Sequence, residues 1–145
     1  MGKRWAEQQV VVAGPPQACF EALSDYESFP QWQRAVKEVR VLSRDRRGRG
    51  QHVAFRVDAK VRTISYELRY SYEPPHRIAW EYVRGDLGDI DGEYILEDRG
   101  DGTTLATYSV GLDPGVWVPG PIFKLLNDQV MRGSIDDLKR RVEDG

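Results

Sequence analysis

The sequence predicts an α+β domain: a curved antiparallel sheet of six to seven strands, two short helices, and a long C-terminal helix covering a cavity. Three observations predict it. Between Val39 and Leu112 the apolar residues recur with period two, interrupted by Gly, Pro and Asp turns. From Pro119 to about Glu143 the period becomes 3.6. The links between the later strands are short, as antiparallel pairing allows and parallel pairing does not.

Trp5 to Ala13 (WAEQQVVVA) reads as a first strand, stopped by Gly14-Pro15-Pro16. Ala18, Cys19, Ala22 and Leu23 then fall on one face of a short helix, with Pro16 suited to its first turn. Ser24-Asp25 and Pro30 end it. Phe29-Pro30-Gln31-Trp32 opens a second helical turn, in which Trp32 and Val36 stand four apart. Val39 and Val41 begin the period-two region, and Ser43 to Gly50 (SRDRRGRG) is a charged loop. Val53, Phe55 and Val57 form the next strand. Ile64, Tyr66, Leu68, Tyr70 and Tyr72 alternate with polar residues, one face apolar and the other wet. Pro74-Pro75 stops that strand; Ile78, Trp80 and Tyr82 continue the alternation. Ile90 to Glu97 and Thr103 to Leu112 flank the hairpin loop Asp98-Arg99-Gly100-Asp101-Gly102. In the final helix Phe123, Leu126, Val130, Ile135, Leu138 and Val142 make the apolar stripe, and Asn127 and Ser134 fall inside it. About 22 residues give a helix roughly 33 Å long, enough to cross a sheet.

The chain has 145 residues, 40% of them hydrophobic and 30% charged. That suits one globular domain over residues 1–145, able to bury a full core without staples. A net charge of −2 argues against a nucleic-acid partner. The single Cys19 excludes an intramolecular disulfide and reads as a small buried hydrophobe. No run approaches a membrane span, and Met1-Gly2-Lys3-Arg4-Trp5 lacks a signal-peptide core, so the expected location is cytoplasmic.

Two segments carry a family resemblance. Val12 to Trp32 (VAGPPQACFEALSDYESFPQW) is a strand, a proline turn, a helix with an aromatic, then an Asp-Tyr-x-x-Phe-Pro-x-Trp pattern. Gly92-Glu93-Tyr94-Ile95-Leu96, Asp101-Gly102-Thr103-Thr104, Ala106 and Tyr108 make the second. In these the chain resembles the START-like, or helix-grip, superfamily, and within it the polyketide cyclase/dehydrase and coenzyme Q-binding (Coq10-like) group. The likeness spans nearly the whole chain; Gly14 departs from it, where members more often carry Ala or a polar residue. It implies a deep cavity between sheet and C-terminal helix, used by members for lipids, quinones, polyketides, hormones or sterols. Fold alone does not fix function.

The residues themselves narrow the chemistry. His52 and His76 sit on separate segments and read as surface or half-buried histidines, and no metal-ligand cluster is visible. No nucleophile motif and no phosphate loop is present. No cofactor is implied and no catalytic residue is assigned. The informative set is aromatic. A core packed for stability alone favours Leu, Ile, Val and Phe, because each buried tyrosine hydroxyl needs a partner. Several inward tyrosines instead describe an apolar pocket with polar anchors. The ligand-binding set is therefore Phe55, Tyr66, Leu68, Tyr70, Trp80, Tyr82, Tyr94 and Tyr108 from the strands, with Phe123, Asn127 and Val130 from the helix.

The leading expectation is binding or transport of an apolar or amphipathic small molecule. An aromatase/cyclase-type enzyme using one polar residue of the same cavity is the alternative. A third reading is an interaction module acting through the Ser43–Gly50 loop. Arg56, Asp58, Arg62 and Arg69 are expected on the solvated face. Val116-Trp117-Val118 forms either a packed connection, a pocket lip or a surface for transient membrane or partner contact. The sequence is compatible with monomer or homodimer.

Overall fold

The alternating segments become seven strands. The computed structural model describes residues 2–60 and 62–145. Its elements are β1 (Arg4–Val12), α1 (Pro16–Ser24), a 3-10 turn (Tyr26–Ser28), α2 (Phe29–Trp32), β2 (Val36–Arg44), β3 (Gly50–Asp58), β4 (Thr63–Glu73), β5 (Arg77–Gly85), β6 (Asp89–Asp98), β7 (Thr104–Asp113) and α3 (Gly120–Asp144). They form one antiparallel sheet in the order β1-β7-β6-β5-β4-β3-β2. This is the helix-grip arrangement the sequence pointed to. Six of the strands are joined in series by short connections; β1 finds its partner at the far end of the sequence. Gln8 pairs with Tyr108, and Gln9 Nε2 donates to Thr107 Oγ1 at 3.1 Å.

The helical spacing of Trp32 and Val36 does not hold. The helix stops at Trp32, Gln33 turns to extended backbone (φ −93°, ψ 102°), and Val36 already belongs to β2. Pro30 supplies only the first turn of α2, and nothing after Trp32 favours helix over the alternation that follows. Cys19 is fully buried between α1 and the sheet, as expected.

Curvature comes from local irregularities. The β4–β5 register shifts between Glu67 and Leu68, and β2–β3 shifts three times along its length. In β6, Gly92 permits a close approach. A Cβ there would lie 2.1 Å from the Ser109 carbonyl oxygen and 3.0 Å from the Trp80 ring.

α3 lies across the concave face, burying Phe123, Met131, Ile135 and Leu138. Its 25 residues make it slightly longer than the spacing predicted. Polar ties fasten its C-terminal half. Asp137, only 4% exposed, accepts from the Arg34 backbone N–H (3.0 Å), Arg34 Nε (3.0 Å) and Arg140 (2.6 Å). Glu143 accepts from the Ala13 backbone N–H at 2.8 Å, and Lys139 donates to the Val11 carbonyl at 3.0 Å. The family departure at Gly14 has a physical use here: a Cβ would stand 2.8 Å from Val142 Cγ1 of α3.

Candidate ligand cavity

Register sets the site. Inward residues of neighbouring strands stand side by side: Phe55 with Tyr66, Tyr70 with Trp80, Tyr94 with Tyr108. The rings follow suit. Tyr94 and Tyr108 stack at 4.5 Å and 1°, and Trp80 lies 5.8 Å from Tyr108. The result is an aromatic floor under α3.

Two chambers open above that floor. The inner one, about 120 Å³, runs from Leu23 and Phe29 across the floor to Ser134 of α3. The outer one, about 210 Å³, lies under the first turns of α3 and reaches Val116 and Val118 of the β7–α3 connection. Val57, Tyr66, Ile90, Tyr108 and Val130 line both, so the chambers adjoin as one bent cavity. Neither reaches the ~300 Å³ of a typical ligand pocket alone; together they stand at its lower end. Val116 is 57% exposed, which puts the opening at that end.

Ten of the eleven residues singled out in the sequence line this cavity. Phe55, Leu68, Tyr70, Trp80 and Tyr94 line the inner chamber, and Phe123 and Asn127 the outer. Tyr66, Tyr108 and Val130 stand at the junction. Tyr82 does not join them. Its hydroxyl donates to the Leu87 carbonyl (2.8 Å) and accepts from the Leu87 N–H (3.2 Å), fastening the β5–β6 turn. The side chain stays in the row of Ile78 and Trp80 and packs against the core, but its hydroxyl is committed to that turn.

The strand-based reading missed the lining supplied by α1, α2 and the segment after it: Leu23, Phe29, Gln33 and Ala35. Gln33 is buried yet polar, and its signal is faint, a lone amide between Trp32 and Arg34. Arg62 was expected on the solvated face. It is exposed but borders the outer chamber, donating to the Asp86 carbonyl at 3.4 Å. Arg56 and Arg69 do lie on the outer face, near Glu38 and Glu81.

Hydroxyl partners divide the tyrosines. Tyr26 and Tyr72 share a hydrogen bond of 2.7 Å, and Tyr72 donates on to the Gly50 carbonyl. Tyr66, Tyr70 and Tyr108 hydrogen-bond to no described residue, nor do the side chains of Gln33 and Ser134. The Tyr94 hydroxyl is buried without a partner among the described residues. Burial drives these phenols up: Tyr108 to about 12, with Tyr66, Tyr70 and Tyr94 also pushed well above the ordinary phenol value. At neutral pH all are uncharged donors and acceptors.

The remaining chemistry lies elsewhere. His52 meets Glu67 at 2.7 Å, and His76 meets the Leu96 carbonyl at 3.0 Å; neither borders the cavity. Among the described residues no group of three His, Cys, Asp or Glu could hold a metal ion. No described helix is long and apolar enough to cross a membrane.

The family model for polyketide cyclase/dehydrase and lipid transport matches residues 5–143. A START superfamily protein from Mycobacterium smegmatis superposes with a TM-score of 0.90 at 23% identity, over 99% of both chains. The Zhui aromatase/cyclase from Streptomyces sp. R1128 superposes with a TM-score of 0.84 at 16% identity, over 97% of this chain and 94% of that one. At those identities the likeness speaks for the fold. No curated protein matches the sequence.

Proposed function

Since the chain belongs to the polyketide cyclase/dehydrase and lipid transport family, we propose that it binds or transports a hydrophobic or aromatic small molecule of lipid, quinone or polyketide kind beneath α3. One observation carries this reading: a bent cavity, aromatic on its floor and open at Val116, in which the Tyr94 hydroxyl is buried with no partner among the described residues. A core built only for packing would close that space and pair that hydroxyl.

An aromatase/cyclase using the same cavity is the second reading, and the fold likeness to the Zhui aromatase/cyclase favours it. Such an enzyme needs a group that moves protons near neutral pH. The described lining holds no Asp, Glu or His, and its phenols are pushed too high to act as bases. Holding a ligand is therefore the better-supported role. The exposed Val116, Trp117, Ile122 and Leu125 near the opening would suit a pocket lip that touches a membrane or carrier during delivery.

Native mass spectrometry of protein purified from its own host tests the proposal. A co-purifying lipid, quinone or polyketide is the expected result. Protein that emerges empty and binds none of a panel of such compounds would overturn it.

A further inference from the structure

The two chambers differ in chemistry, and the difference has a direction. The inner chamber carries six uncharged polar side chains: Gln33, Tyr66, Tyr70, Tyr94, Tyr108 and Ser134. Apart from the shared Tyr66 and Tyr108, the outer chamber is mostly aliphatic, with Leu112, Val116, Val118 and Leu126 among its walls. Of its own polar residues, Asn127 leans on Met131 Sδ at 3.6 Å and Arg62 on the Asp86 carbonyl. Polarity therefore rises inward, away from the opening.

Tyr94 is the focus of that gradient. It is 5% exposed, its hydroxyl oxygen is buried, and no group among the described residues pairs with it. Cys19 of α1 and Asp137 of α3, one helical turn beyond Ser134, are among its electrostatic neighbours, and Tyr94 and Ser134 line the same chamber. A buried hydroxyl without a partner is costly, and native cores leave few of them. A ligand oxygen that reached it from the inner chamber would satisfy it.

Resting on the cavity reading above, we infer that the ligand enters oxygen-first. A phenolic, quinonoid or otherwise oxygenated ring lies in the inner chamber against Tyr94 and Ser134, and its alkyl or apolar remainder points out past Leu126 toward Val116. This is the reverse of a lipid carried with its polar head at the mouth.

Isothermal titration with 4-butylphenol, 4-ethylphenol and butylbenzene tests the orientation on the intact chain. Wild-type protein should bind 4-butylphenol about 5-fold more tightly than butylbenzene, the worth of one satisfied hydrogen bond. Tyr94→Phe should cut that ratio to under about 2-fold while its thermal midpoint stays at or above wild type, because an unpaired hydroxyl has been removed. Leu126→Gln should leave the ratio intact and shrink the gain of butyl over ethyl. If Tyr94→Phe keeps the ratio, or Leu126→Gln abolishes it, the oxygen lies at the mouth and the inference is overturned. Equal binding of 4-butylphenol and butylbenzene also overturns it while leaving the cavity reading intact. Binding of none of the three sinks both.

Discussion

The two halves of α3 are held to the sheet by different chemistry. From Arg132 onward the helix is fastened by ions and hydrogen bonds to parts of the chain more than 100 residues away: Asp137 to Arg34, Lys139 to Val11, Glu143 to Ala13. The first turns rest instead on apolar packing, with Phe123 buried beneath the Arg4 guanidinium at 4.6 Å and Ile122 and Leu125 exposed. Directional bonds fix one geometry; apolar contact tolerates small displacements at modest cost. The fastened half roofs the inner end of the cavity, and the other half roofs its outer end. Gly133 marks the boundary, next to Ser134, in a pairing where helices commonly bend.

Three substitutions would break or sharpen that contrast. The largest effect is expected at Asp137. Asp137→Ala leaves the Arg34 backbone N–H without its acceptor and frees two guanidiniums. Both are largely exposed (71% and 55%) and regain water, which limits the cost to about 2–3 kcal/mol. A urea midpoint that does not fall would show that the clamp carries no stability. Gly133→Ala comes next, with the opposite sign. No atom lies within 4 Å of a Cβ built there, so the helix should gain about 1 kcal/mol from propensity alone. Slower amide exchange over residues 120–130 would show that the glycine had softened the first half. Unchanged exchange would confine its role to local backbone entropy.

The smallest effect concerns acid. Lys139 and the Ala13 N–H hold the Glu143 carboxyl below the usual range. A depressed carboxyl adds stability above its unfolded value, about 4.3, and loses it as pH falls through the folded value. Glu143→Gln should therefore reduce stability slightly at neutral pH and flatten its decline below about pH 5. Water screens this pair, so the difference will be small. Equal acid sensitivity in both proteins would remove Glu143 from the clamp.

How far the sequence reached can be read from particular residues. Period two named the inward rows correctly from Phe55 to Tyr108, because a strand fixes which face each side chain takes. It placed Tyr82 on the inward row but could not show that the β5–β6 turn takes up its hydroxyl, outside the cavity lining. It was silent on Gln33, since a short segment between helix and strand has no period to read. The Arg34–Asp137 clamp was equally hidden: 103 residues separate the partners, and neither stands out in its own neighbourhood. The amphipathic stripe found Asn127 and Ser134 but gave no sign that the cavity divides into a polar and an apolar chamber. That division needs strands and helix assembled together.

Trp80 has a consequence of its own. Its ring lies 6.1 Å from Tyr70, 6.1 Å from Tyr94 and 5.8 Å from Tyr108, all of them on the cavity floor. Light absorbed by those phenols should drain into its indole. Trp5 and Trp117 are 63% and 76% exposed, so iodide in solution will extinguish them first. What survives is emission from Trp80 and the half-buried Trp32. The molecule thus carries an intrinsic optical gauge of whether its cavity is filled, with no label attached.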